Sequence, residues 1–327
     1  MMDTVEKTER QDTLDDILND EIDTEVEQEK GEQDFLVSQD MYQISSGEVL
    51  NSEDFYNIAA KESTKLLLFL GPVASGKTTM ETSLYQLFQI NPVGNYYFAG
   101  SATLQGFEQR AFYTRIKSKG SFPETQRTSI DDNASFLHLR LWDQSNDMIN
   151  NLILADISGE AFTTYIGKVD SVKEKFYFAE RADFIIGIID GEKLSNKKTK
   201  KSVVNEIILL LRTFLDAGVI SDHCVLQIVF SKFDLLRKTD NFEAVIEKAK
   251  NQINTQLSQL ATDIEYFCVA AMPDTTEEIQ VGYGLDELLQ SWWKKYVYIN
   301  SAREIEPFDN LSEYDRLFYK YNGVKNE

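Results

Sequence analysis

From about Thr64 the chain alternates short apolar runs with amphipathic stretches. The runs occupy 66–70, 135–142, 152–156, 184–189, 225–230 and 266–270, each the length of a buried strand. Segments 78–88, 171–179, 201–215 and 242–260 carry apolar residues at helical spacing instead. Buried strands alternating with such helices predict an α/β fold: a mostly parallel, six-stranded sheet with helices on both faces. Only a polar turn, 144–151, separates the second and third runs. They therefore read as a hairpin that makes one edge of the sheet antiparallel. The stretch 285–298, with Trp292 and Trp293, predicts a closing helix, and 53–61 a short one before the first strand.

The flanks differ in character. Residues 1–34 hold fourteen acids against three bases, so half of the net charge of −21 sits in that segment. The default reading is a solvated, disordered tail. Leu14, Leu18, Ile22 and Val26 recur every four residues, however, which also fits a helix that docks on a partner. Residues 35–63 are transitional, 64–300 form the folded domain, and 301–327 are an acidic, aromatic extension that packs back or stays free.

Composition narrows the function classes. The acidic balance argues against tracking a nucleic-acid backbone or an anionic membrane. No apolar run reaches the roughly 18 residues of a membrane span, and the first residues lack a basic-then-apolar signal pattern. Cys224 and Cys268 fall in apolar runs and read as buried free thiols, which suits a cytoplasmic location. His138 and His223, within or beside strand runs, read as satisfied structural histidines rather than as members of a triad or zinc site.

The chemistry lies at the ends of the runs. Gly71-Pro-Val-Ala74-Ser75-Gly76-Lys77-Thr78 fits GxxxxGK[ST] between a strand and a helix, with Thr79 following. Glycines let successive N–H groups turn inward at a helix N-terminus, where they cradle phosphate. Lys77 would reach the outer phosphates and the Thr78 hydroxyl would ligate Mg²⁺. A nucleoside triphosphate with magnesium is the implied ligand. Asp156-Ile-Ser-Gly159 then ends an apolar run: the aspartate can hold Mg²⁺ through water, and the glycine N–H can meet a γ-phosphate. In Ser231-Lys232-Phe-Asp234, a carboxylate at a strand end can accept from the N1–H and exocyclic amine of guanine, while the lysine stem lies along the base.

Ser231-Lys-Phe-Asp234 resembles the [NT]KxD guanine-reading motif of P-loop GTPases, with serine in place of asparagine or threonine. Ala270-Ala271 stands loosely where those proteins place a small-residue turn whose N–H meets the guanine O6. In this order the motifs resemble a Ras-like, translation-factor-class (TRAFAC) GTPase over about residues 66–298. "YYFAGSATLQGFEQRAFYTRI", "GSFPETQRTS" and "DISGEAF" are similar to the bacterial double-GTPase family, which is associated with prokaryotic conflict, or anti-phage, systems.

That resemblance implies a GTP/GDP cycle, and further roles follow from it. A threonine of the first mobile loop would complete the Mg²⁺ shell; Thr125 and Thr128 are both candidates, with Thr128 nearer the next strand. Glu160 stands where many GTPases use a glutamine to orient water, so it is either a catalytic group or a switch and partner contact. Val73 fills a slot that is glycine in small Ras-like enzymes and would obstruct an arginine finger from outside. Arg127 could act in cis instead, or serve as a surface charge. Slow or partner-stimulated hydrolysis is the expectation. The implied protein is a regulatory GTPase acting on an effector, with 1–34 and 95–120 as contact surfaces. A GTP-holding scaffold and an ATP-dependent kinase or ATPase are the alternatives.

Overall fold

The computed structural model describes residues 45–112, 134–257, 264–293 and 312. Among them seven strands form one sheet in the order β2-β3-β4-β1-β5-β6-β7. In chain order these are β1 Thr64–Leu70, β2 Tyr96–Gly100, β3 Ser135–Asp143, β4 Met148–Asp156, β5 Phe184–Asp190, β6 Val225–Ser231 and β7 Glu265–Cys268. The pairs β4–β1, β1–β5, β5–β6 and β6–β7 are parallel, whereas β3 runs against both β2 and β4. The α/β, mostly parallel architecture is thus as expected from the sequence.

The strand count is not. Six strands were expected, and β2 is the seventh. Its residues, YYFAG, are too short and too glycine-bounded to stand out as an apolar run, and its burial is poor beyond Tyr96. Pairing with β3 is what makes it a strand, with a register irregularity between Phe98 and Gly100. The expected turn 144–151 also shrinks, because Asp143 already pairs with Met148 and β4 includes the polar Asn150 and Asn151. Asn151 is buried there because its amide has partners: the ring Nε2 of His138 donates to its Oδ1 at 2.9 Å, and its Nδ2 donates to Glu62 and to the Ser63 carbonyl.

Alternation along β1 divides the core. Leu66, Leu68 and Leu70 face one side with Val172, Ile207, Leu211 and Phe214, while Leu67 and Phe69 face the other with Met80, Leu84, Leu288 and Trp292. The helices are α1 Ser52–Ala59, α2 Lys77–Ile90, α3 Leu104–Ala111, α4 Gly159–Tyr165, α5 Val169–Lys175, α6 Gly191–Ser195, α7 Lys200–Asp216, α8 Phe233–Arg237, α9 Phe242–Gln256 and α10 Leu285–Ser291. The helix expected over 171–179 stops at Lys175 and gives way to a 3₁₀ turn at Tyr177–Arg181. α10 is latched onto β6 by a buried polar knot. Gln227 donates to Ser291 and Glu265 at 2.8 Å each and accepts from the Trp292 indole at 3.0 Å. Both cysteines are free, Cys224 buried and Cys268 half-buried. No helix of the described residues is long and apolar enough to cross a membrane.

Candidate functional site

Because five strands share one direction, their carboxyl ends open on one edge of the sheet. There the connection leaving β1 runs to β2 on one side while that leaving its neighbour β4 runs to β5 on the other, which leaves a crevice of the kind that binds ligands in open α/β sheets. Residues 71–78 follow β1, Gly159 follows β4, Asp190 ends β5, Ser231–Asp234 span the end of β6, and Ala270 follows β7. Segments more than 150 residues apart in the chain converge on this edge.

The loop 71–76 is built for close backbone approach. Ala74 (φ 62°) and Gly76 (φ 95°) both adopt left-handed conformations, and Gly76 caps α2 without any side-chain hydrogen bond. No acidic residue occupies the first turn of α2, so no carboxylate on that turn offsets its positive end. Lys77 is buried and its Nζ donates to the carbonyls of Gly71 (2.7 Å) and Pro72 (3.1 Å), which folds the lysine back across the loop. Thr78 and Thr79 are half-buried on the first turn, their carbonyls accepting from Thr82. The Ser75 hydroxyl is buried and finds no hydrogen-bond partner among the described residues. A buried polar atom in that condition fits a bound polar group as its missing partner.

Gly159 lies directly on this loop. A Cβ there would fall 2.6 Å from the Val73 nitrogen, 2.7 Å from the Pro72 carbonyl carbon and 2.8 Å from Lys77 Nζ, so only glycine fits. Ser158 caps α4 by accepting from the Glu160 N–H, and Glu160 follows half-buried in the first turn. Asp156 ends β4 opposite Ser135. Val73 is 37 % exposed at the tip of the loop.

The end of β6 braces the same loop from the other side. Ser231 Oγ lies 2.7 Å from the Ser75 carbonyl oxygen and 3.3 Å from that of Ile189. Lys232 is left-handed (φ 48°, ψ 44°), and its Nζ reaches Asp190 Oδ2 and Glu192 Oε2 at 3.0 Å each. Burial works against its charge, but hydrogen bonds and attraction from Glu192 and Asp190 outweigh that and hold Lys232 above the ordinary lysine value. Asp234 is 9 % exposed, and its Oδ2 accepts from the Asp274 N–H at 3.1 Å. Ala270 and Ala271 are buried beside it; the Ala270 N–H donates to Tyr283, and the Ala271 carbonyl accepts from Gly282.

Sequence reasoning passed over Asp190, Glu192, Asp274 and Tyr283. Asp190 carried a signal, an acid closing a wholly apolar run, but its partner Lys232 lies 42 residues on. Arg127, Thr125 and Thr128 lie outside the described residues. No cluster of three or more His, Cys, Asp or Glu able to hold a metal occurs among the described residues. Of the residues read as metal ligands, Thr78 is half-buried on the first turn of α2, and Asp156 is placed by its backbone at the end of β4. The family model described as Double-GTPase 2 matches residues 65–293. No curated protein matches the chain.

Proposed function

Since this chain belongs to the Double-GTPase 2 family, we propose that it is a GTP-binding switch that hydrolyses GTP slowly and thereby controls a partner protein. The observation that carries the reading is the contact of Gly159 and Ser231 with the two sides of one loop, residues 71–76. A phosphate-sensing glycine and a base-side motif are thereby joined to the same cradle.

In this reading the N–H groups of 74–79 and the positive end of α2 hold the phosphates, and Lys77 leaves the Gly71 and Pro72 carbonyls for the outer phosphates. Thr78 and Asp156 would hold Mg²⁺, with Thr128 or Thr125 completing its shell. The ion, when bound, neutralises charge on the β- and γ-phosphate oxygens. The Gly159 N–H reports the γ-phosphate, so its loss loosens α4 from the loop, an order change that a partner can read. Asp234 accepts from the guanine edge, pre-set by the Asp274 N–H. Ala270 has committed its N–H to the Tyr283 carbonyl, which favours Ala271 over Ala270 as the donor to the base carbonyl in this reading.

Glu160 can accept a hydrogen bond from water, but its charge opposes approach to the γ-phosphate, and Val73 stands on the outer face where an arginine from a partner would enter. Both features favour slow turnover, with Arg127 as the candidate cis arginine. The exposed Val73 equally supports a second reading, a module that holds GTP without hydrolysing it. The family resemblance is what supports reading that partner as part of a prokaryotic conflict system.

Titration calorimetry with GTP, GDP and ATP, with and without Mg²⁺, tests the proposal. GTP and GDP are expected to bind more tightly than ATP, and GTP to need Mg²⁺. Tighter binding of ATP overturns the guanine reading. Single-turnover hydrolysis separates a slow switch from a holding module.

A further inference from the structure

We propose that Asp190 is a positioning residue for purine recognition: it fixes Lys232 so that the lysine stem forms one rigid wall of the base slot. This rests on the guanine reading above.

Every position of β5 is buried, and Asp190, at its end, is 0 % exposed. Both carboxylate oxygens are engaged. Oδ1 accepts from the Glu192 and Lys193 N–H groups at 2.9 and 3.3 Å and so caps α6, while Oδ2 accepts from Lys232 Nζ at 3.0 Å. The backbones of the two loops touch as well. Asp190 pairs with Ser231 in register, and a Cβ on Gly191 would fall 2.3 Å from the Ser231 carbonyl oxygen. Lys232 is therefore held at both ends, by a left-handed backbone and by a carboxylate that cannot move without disturbing α6. Glu192, the second partner, is 61 % exposed and solvent-screened, so it is a weak substitute. Asp234 lies two residues beyond Lys232 in the same turn, so the direction of the lysine stem and that of the carboxylate are set together.

The variant Asp190→Asn keeps an oxygen for the α6 cap and removes the charge that holds Lys232. Its GTP affinity is expected to fall roughly tenfold, the loss of one charge-assisted contact. Its affinity for inorganic pyrophosphate, which fills only the phosphate loop, is expected to stay unchanged. In a Lys232→Met background the same substitution should have no further effect on GTP. Undiminished GTP affinity in Asp190→Asn overturns the proposal, and so does an equal loss in the Lys232→Met background, which would make Asp190 a helix cap alone. Lys232→Met by itself must also lose GTP affinity while keeping pyrophosphate; full GTP affinity there removes the wall that Asp190 is said to position, without recourse to the Asp190 variant. A wild-type preference for ATP over GTP takes down the guanine reading itself, a distinct failure seen before any variant is made.

Discussion

The Ser231 hydroxyl donates to the carbonyl oxygen of Ser75 at 2.7 Å, joining the last residue of β6 to the loop after β1. Both residues are buried, with Ser75 at 0 % and Ser231 at 3 % exposure, so the bond has no water to replace it. Ser231→Ala leaves a buried carbonyl without its donor. We expect a stability loss of about 1–2 kcal/mol, seen as a fall of a few degrees in Tm. GTP affinity should weaken as well, because the loop loses its brace; calorimetry on the same variant checks this.

Gly159 has no room for a methyl group. Gly159→Ala must part from both the Val73–Pro72 backbone and Lys77, since each lies within 2.8 Å of the added carbon. The backbone is the stiffer neighbour, so the start of α4 should be pushed off the loop. We expect the GTP to GDP affinity ratio to fall roughly tenfold or more, together with a stability loss of about 1–3 kcal/mol. Paired GTP and GDP titrations read this ratio directly.

Asp234 Oδ2 accepts from the Asp274 N–H, which fixes the carboxylate while both oxygens retain capacity to accept from a ligand. Asp234→Asn converts one acceptor into a donor. Guanine then meets donor against donor, while xanthine, with an oxygen in place of the exocyclic amine, gains a partner. We expect weaker GTP binding and stronger XTP binding, measured by competition against one fluorescent nucleotide. Unchanged GTP affinity would mean that Asp234 does not read the base.

His138 links the sheet to the segment leading into α3. Its Nδ1 accepts from the Ala102 N–H at 2.9 Å, and its Nε2 donates to Asn151. Burial pushes the imidazole below its ordinary 6.5, against smaller opposing effects from Asn151 and Glu62, with Arg140 adding to the depression. The folded state therefore resists a proton that the unfolded chain accepts. Stability is fully present above about pH 6.5 and falls as pH drops toward the folded-state value, by at most about 1.4 kcal/mol per pH unit. A Tm series from pH 7.5 to about 5 should show this slope, and His138→Gln should flatten it.

Legibility followed the range of the interactions. The strand runs were readable because burial on both faces demands continuous apolar residues, as in the wholly buried β5 and β6. Helix boundaries were readable to within a few residues for α2, α7 and α9. β2 was not, because YYFAG becomes a strand only through pairing with β3, Tyr97 with Trp142 and Phe98 with Leu141. Asn150 and Asn151 read as turn for the same reason; the partners that make Asn151 tolerable inside β4 are Glu62 and His138, distant in sequence.

The candidate site divides along the same line. Glycine, lysine and threonine at 71, 76, 77 and 78, the Asp156–Gly159 pair and Ser231–Asp234 are local spacings, and the linear order of residues determines them along with the α/β class and the acidic balance. Only the tertiary structure decided that Gly159 must lie on Val73, that Ser231 holds Ser75, and that Lys232 is seated on Asp190. These contacts cross from strand end to strand end, and a parallel sheet brings them together by placing the carboxyl ends of β1, β4, β5 and β6 on one edge. Spacing within a segment is written in the chain; proximity between segments is a property of the sheet.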